Sequence, residues 1–245
     1  MSAPIVLVPG FWLGAWAWDA VAERLRAAGH EVLAVTLPGL ESVDADRSGI
    51  TMADHVDAIV AAVESAGRPV ALALHSGAAA PGYGATGQVA DRVAAVVYVD
   101  TFPLLGPINP DLDGDEWPLP GWTELEEDGN SLDGLDADQL AAFADRAVPQ
   151  PAGAVRGTVE PIGDAPRVIP TVLLCTSFPS SEFTAMIESG SPWMAELATI
   201  EHVEYVDHPT SHWPRWSATG VTAELLARVA PAHGWAVGAS RVPAP

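Results

Sequence analysis

The stretch from Val70 to Gly84 reads VALALHSGAAAPGYG. An apolar run closes abruptly on His75, Ser76 and Gly77, and small residues follow. Such a run has the continuous hydrophobic character of a strand covered on both faces. A serine just past it sits where parallel α/β sheets collect ligands, beyond the carboxyl ends of the strands. The small residues then have a reason. A sharp strand-to-helix turn that presents a nucleophile strains the backbone and demands small neighbours. The usual spacing is G-x-S-x-G; here the five positions are Leu74, His75, Ser76, Gly77 and Ala78. Leu74 stands where the first glycine is expected. Pro81, Gly82 and Gly84 are poor helix material and predict a short or kinked first turn beyond the serine.

Outward from this turn, strand and helix patterns alternate. Val6 to Val8, in PIVLVPG, reads as a buried strand stopped by Pro9 and Gly10. Trp16 to His30 has helical spacing, with Trp18, Val21, Ala22, Leu25 and Ala28 on one face. Strands are expected at Glu31–Thr36, Pro69–Leu74 and Val93–Asp100, and a second helix at Met52–Ala66. From Thr101 to Pro166 the rhythm is lost. Pro, Gly, Asp and Trp dominate there, around one amphipathic helix at Ala137–Ala147 with Asp136 as its N-cap. The rhythm then returns: a strand at Val168–Thr176, short helices at Ser180–Glu188 and Pro192–Leu197, a strand at Val203–Val206, and a helix at Val221–Val229. The tail from Gly238 to Pro245 is expected to fray. This pattern predicts an α/β protein: a mostly parallel sheet with helices on both faces, built from residues 1–100 and 167–245. Residues 101–166 are an insertion too long for an ordinary connection.

Composition narrows the function. With 245 residues, 49% hydrophobic and 18% charged, the chain has ample material for a core. Its net charge is −21, and all eleven basic residues are arginine. So acidic a surface repels nucleic acid and anionic membranes. Twelve acidic residues fall between Asp111 and Asp145, and no basic residue lies between Arg92 and Arg146. No run of 18 apolar residues suggests a membrane span. The start, MSAPIVLVPG, has no positive region and reads as strand rather than signal peptide. The single cysteine, Cys175, lies in an apolar run and fits a reducing, cytoplasmic setting.

A serine hydroxyl needs a base to take its proton and a carboxylate to orient that base. On this architecture the expected chain order is serine, acid, histidine. After the last strand comes DHPTSHWPRW, which holds His208 and His212. His212 is the better candidate, since the longer loop lets it reach back across the sheet edge. The oxyanion needs preorganised backbone N–H groups. Gly77 supplies one and Phe11, in PGFWLGAW, the other, with Trp12 next in line. The acid is open between Asp100, at the end of VAAVVYVD, and Glu182, in PSSEF, with Asp207 a third choice. Asp100 is preferred, because neighbouring parallel strands end only about 5 Å apart.

Three motifs, PGFWLGAWAWDAVAERLRAAGHEVLAVTLPGL, LHSGA and PTSHWPRWS, resemble the α/β-hydrolase fold superfamily, close to its small esterase and hydroxynitrile-lyase-like branch. The resemblance implies a Ser-His-Asp hydrolase with no metal or cofactor, and makes residues 101–166 a helical cap. Pro9-Gly10 replaces the family's common His-Gly. The lysine used by plant-type hydroxynitrile lyases of this fold has no counterpart. The expected activity is cleavage of a small, largely apolar ester or lactone through an acyl-enzyme. The alternatives are a lyase or cyclase on the same fold, or an inactive small-molecule-binding member. Trp12, His75, Trp117, Trp122, Phe143 and Trp213 are the candidates for contact with substrate. The expected partner is a small-molecule substrate, met by a monomer or a homodimer.

Overall fold

The computed structural model describes residues 2–160 and 163–230. In chain order the strands are β1 (Ile5–Val8), β2 (Val32–Ala34), β3 (Val70–His75), β4 (Val93–Val99), β5 (Glu116–Trp117), β6 (Gln150–Pro151), β7 (Thr171–Cys175) and β8 (Val203–Asp207). The helices are α1 (Asp19–Ala27), α2 (Met52–Ser65), α3 (Ala79–Gln88), α4 (Trp122–Glu127), α5 (Ala137–Arg146), α6 (Ala152–Arg156), α7 (Ser180–Glu188), α8 (Pro214–Ser217) and α9 (Thr219–Val229). Six strands form one sheet in the order β2-β1-β3-β4-β7-β8, with each neighbouring pair parallel. The expected tail at Gly238–Pro245 lies outside the described residues.

Alternation along each strand splits the core in two. Ile5 and Leu7 pack with Trp18, Val21 and Leu25 of the α1 side and with Leu225 and Leu226 of α9. Val6, Val8, Leu72 and Leu74 point the other way, onto Ile59 and Val63 of α2 and Phe183 of α7. Helices therefore cover both faces, as a parallel sheet requires. α2 begins at a capping box in which Thr51 and Asp54 exchange side-chain and backbone hydrogen bonds. Asp136 and Gln139 do the same for α5.

Some boundaries move for local reasons. The segment expected to open a strand at Val168 is a 3₁₀ turn, Ala165–Val168, entered through Pro166, and the strand starts at Thr171. The helix expected at Pro192–Leu197 is two 3₁₀ turns, Pro192–Met194 and Leu197–Thr199. Between β4 and β7 the chain forms the small antiparallel pair β5–β6 and the helices α4, α5 and α6. Among the described residues no helix is long and apolar enough to cross a membrane.

The sheet order places a topological switch beside β1. The chain leaves β1 toward β2 on one side and returns as β3 on the other. The loops after β1 and β3 diverge there, opening a crevice at the carboxyl edge.

Candidate active site

β3 ends at His75, and Ser76 takes a φ of +49° before the chain enters a 3₁₀ turn and α3. A non-glycine residue rarely adopts this conformation, and it persists only where its surroundings enforce it. Those surroundings are tight. A Cβ on Gly77 would collide with the Phe11 ring, and one on Gly10 would lie 2.7 Å from His75 Nδ1 and 2.8 Å from Ser76 Cβ. Leu74, the departure from the usual turn, fits because Gly82 faces it from α3; any Cβ on Gly82 would strike the buried Leu74 side chain. The bulk has been moved from helix to strand. Pro81 does not break α3 either. It is the third residue of the helix, where a backbone N–H has no intrahelical partner to lose.

The loop after β1 is held by residues of the inserted segment. Trp12 has a φ of +64°. Its N–H donates to Gln150 Oε1 at 3.3 Å, its carbonyl accepts from Val148 N–H at 2.9 Å, and its indole Nε1 donates to the Trp117 carbonyl at 3.0 Å. With the Trp12 N–H thus occupied, Phe11 is left as the backbone donor of this loop. Among the described residues, neither the Phe11 nor the Gly77 N–H has a protein acceptor.

Asp100 follows β4 and also has a positive φ, +49°. One carboxylate oxygen accepts from the N–H groups of Thr176 and Ser177 at 2.7 and 2.8 Å. The other lies 2.7 Å from His212 Nδ1. Burial acts to raise this carboxyl, but hydrogen bonds from His212 and Ser177 outweigh it and hold the group below its ordinary value. An ionised Asp100 therefore fixes the His212 proton on Nδ1. The His212 backbone is gripped as well: its N–H donates to the Ser131 carbonyl at 2.7 Å, and its carbonyl accepts from His75 Nε2 at 2.8 Å.

The other acid candidates are elsewhere. Glu182 is exposed in the first turn of α7, on the cavity rim, and makes no bond to His212. Asp207 accepts from the N–H and hydroxyl of Ser180, both at 2.6 Å, and so anchors the start of α7. His208 does not reach the cavity.

Ser76, Gly77, Phe11, Trp12, Asp100, Trp117 and His212 all line one cavity of about 490 Å³. Among the described residues, the non-glycine residues with positive φ are Trp12, Ser76 and Asp100, and all three are on its wall. Four expected contact residues are not. Trp122, Phe143 and Trp213 belong to an aromatic cluster that also holds Trp12 and Trp117, with Phe143 5.2 Å from Trp213 and 5.3 Å from Trp122 between ring centroids. They seal the inserted segment to the sheet layer instead. His75 is sealed behind Ser76, 1% exposed. The wall includes residues that pattern reasoning missed: Leu104 and Ile108 after β4, Phe183 and Met186 on α7, and Trp193. Their signal was topological, since they follow β4 and β7, whose carboxyl ends border the crevice. Asp128 and Glu182 add carboxylates, and among the described residues no arginine lines the wall. Among the described residues, no group of three or more His, Cys, Asp or Glu is placed to hold a metal ion.

The sheet, the strained serine turn and the shared cavity define an α/β-hydrolase. The model of the alpha/beta hydrolase family matches residues 5–235, and the chain belongs to that family. A carbendazim-hydrolyzing esterase of Nocardioides sp. strain SG-4G is 30% identical over 102 residues, which span 41% of this chain and 42% of that protein. Among solved structures, an extracellular α/β-hydrolase from a Paenibacillus species superposes with a TM-score of 0.72 at 20% identity, covering 93% of this chain and 99% of its own. That protein is described as structurally and functionally homologous to tobacco salicylic acid binding protein 2. A pyrethroid hydrolase from Sphingobium faniae JZ-2 gives 0.64 at 20% identity, covering 93% and 96%. Tomato methylketone synthase I gives 0.69 at 14% identity, covering 94% and 98%.

Proposed function

We propose that this chain is a serine hydrolase that cleaves a small, largely apolar ester or lactone through an acyl-enzyme. One observation carries the proposal: three strained non-glycine residues, Trp12, Ser76 and Asp100, converge on a single cavity that also receives His212. Strain of this kind, of order 1–3 kcal/mol per residue, concentrates at functional sites. Ser76 Oγ attacks the carbonyl carbon as His212 Nε2 takes its proton. Asp100 holds the imidazole in the required tautomer and stabilises the imidazolium. The Phe11 and Gly77 N–H groups receive the oxyanion. His212 then protonates the departing alkoxide, the alcohol leaves, and a water activated by His212 releases the acid. The cavity has the volume of a small-ligand site. Its aromatic wall and carboxylate rim favour neutral, apolar substrates over anionic ones. Residues 101–166 act as the cap that supplies part of that wall. The esterase and pyrethroid hydrolase among the similar proteins support the same class of substrate.

The structural likeness to methylketone synthase I keeps a non-hydrolytic reaction as the second reading. Leu74 no longer motivates it, since Gly82 provides the room that side chain needs.

A fluorophosphonate probe and p-nitrophenyl butyrate test the proposal together. The probe should attach to Ser76, and Ser76→Ala should abolish labelling and lower turnover by at least about 10³-fold. Asp100→Asn should cost about 10³- to 10⁴-fold with labelling slowed in parallel. Turnover surviving Ser76→Ala, or labelling elsewhere, would overturn it. Products decide between the readings: acid plus alcohol for hydrolysis, an isomer or a carbonyl fragment for the second.

A further inference from the structure

Arg215, three residues beyond His212, is fully buried. Among the described residues no carboxylate reaches it, and its Nε and Nη1 have no acceptor. It lies between two indoles, its guanidinium carbon 5.0 Å from the Trp18 ring and 5.1 Å from that of Trp216. Burial pushes it down to about 9, which leaves it a cation at neutral pH. An uncompensated buried cation is costly, so stability does not explain it.

The one hydrogen bond its side chain makes among the described residues does. Nη2 donates to His75 Nδ1 at 2.9 Å, and the same nitrogen accepts the Gly10 N–H at 3.2 Å. Neither partner can accept a proton in return, so the His75 proton is confined to Nε2. That Nε2 donates to the His212 carbonyl at 2.8 Å. Burial first, then the charge of Arg215, holds His75 far below its usual value, so the ring stays neutral. One imidazole thus ties together three loops: its own, which carries Ser76; the β1 loop, where Gly10 precedes Phe11; and the loop of His212.

We infer that Arg215 is a positioning residue that, by anchoring the His75 ring through its Nδ1, holds His212 and the Phe11 loop in register with Ser76. The inference rests on the proposed hydrolase reading. Without the guanidinium the ring keeps Gly10 N–H and the His212 carbonyl as partners but loses the charged donor that holds it in place, and a shift of the ring carries both loops with it. Small misplacements at a reacting centre cost about 100-fold.

The test uses Arg215→Met, Arg215→Lys and His75→Gln, assayed with p-nitrophenyl butyrate and by thermal unfolding. Arg215→Met should lower kcat by about 10- to 100-fold with KM within about twofold. Its unfolding midpoint should stay level or rise, since an apolar isostere removes a buried charge. Arg215→Lys, which keeps a donor, should recover most of the loss. His75→Gln, with an amide N–H for the His212 carbonyl and an oxygen for Gly10, should lose less than His75→Leu. A wild-type kcat in Arg215→Met, or a loss that tracks unfolding, would overturn the inference. ¹⁵N spectra of the histidine rings separate it from the hydrolase reading. His75 should be the neutral Nε2–H tautomer in both proteins, with its Nδ1 resonance displaced in Arg215→Met by loss of the second donor, whether or not any ester is cleaved; an unmoved Nδ1 resonance would refute the inference even in an active enzyme.

Discussion

The sheet layer and the segment inserted between β4 and β7 handle polar residues in opposite ways. In the sheet layer His75, Asp100, His212 and Arg215 are all buried and bonded to one another or to the loops around them. In the insertion the polar residues are mostly acids facing solvent, and the buried ones are few, Gln150 chief among them. Gln150 accepts the Trp12 N–H, and Ser131 accepts the His212 N–H. The lesson is a division of labour. The sheet places Ser76, Asp100 and His212 by backbone geometry, and the insertion pins the two loops that carry Phe11 and His212. The insertion is therefore part of the site's frame as well as its cover.

The largest effect that separates these roles should come from Phe143. It is 1% exposed, and its ring meets Trp122, Trp213 and Trp216 at centroid distances of 5.1 to 5.3 Å. Phe143→Ala should cost about 3–5 kcal/mol in denaturant unfolding, because the rigid aromatic cluster cannot close the cavity. Trp193 is the control. It lines the cavity but is 54% exposed, so Trp193→Ala should change stability by less than about 0.5 kcal/mol while altering KM. A Phe143→Ala protein of undiminished stability would mean that the insertion moves independently, and the frame role would fall.

The same division explains what could be read from the chain. Strand and helix patterns are local, and α7 begins and ends where periodicity put it, at Ser180–Glu188. β3 runs one residue further than expected, through His75, because that residue is fully buried. Positions beyond the strand ends follow from parallel topology, so Ser76, Asp100 and His212 were within reach as candidates. The wall was not. Periodicity tells which side of a helix is apolar but not what that side will meet. Trp117 met the cavity, whereas Trp122 met Phe143, and Phe143 met Trp213 and Trp216. Arg215 carried a faint signal, a lone cation in WPRW between two tryptophans. Its partner, His75, is 140 positions away, and no local pattern could name it.

A smaller effect sharpens the sheet side of the comparison. The packing of Leu74 against Gly82 is a two-residue device at the base of the serine turn. Gly82→Ala should destabilise by about 1–3 kcal/mol, because Leu74 is fully buried and has nowhere to retreat. Adding Leu74→Ala should restore part of that loss, a coupling readable in a double-mutant cycle. Strictly additive losses would show that the two residues do not share one space.

The smallest effect concerns acid. The insertion holds no histidine, whereas the sheet layer buries His55, His75 and His212. His55 Nε2 donates to the Pro38 carbonyl at 3.0 Å, and burial lowers its value from 6.5. The folded protein thus refuses a proton that the unfolded chain accepts. Stability is full above about pH 6.5 and falls as pH drops from there toward the lowered folded value. Each pH unit in that window costs about 1.4 kcal/mol per histidine. His55→Gln keeps a donor for Pro38 and cannot titrate. Its loss between pH 7 and pH 5.5 should be smaller than the wild type's by up to about 1.4 kcal/mol. Urea unfolding at the two pH values measures this directly. An identical loss in both proteins would place the acid sensitivity outside α2.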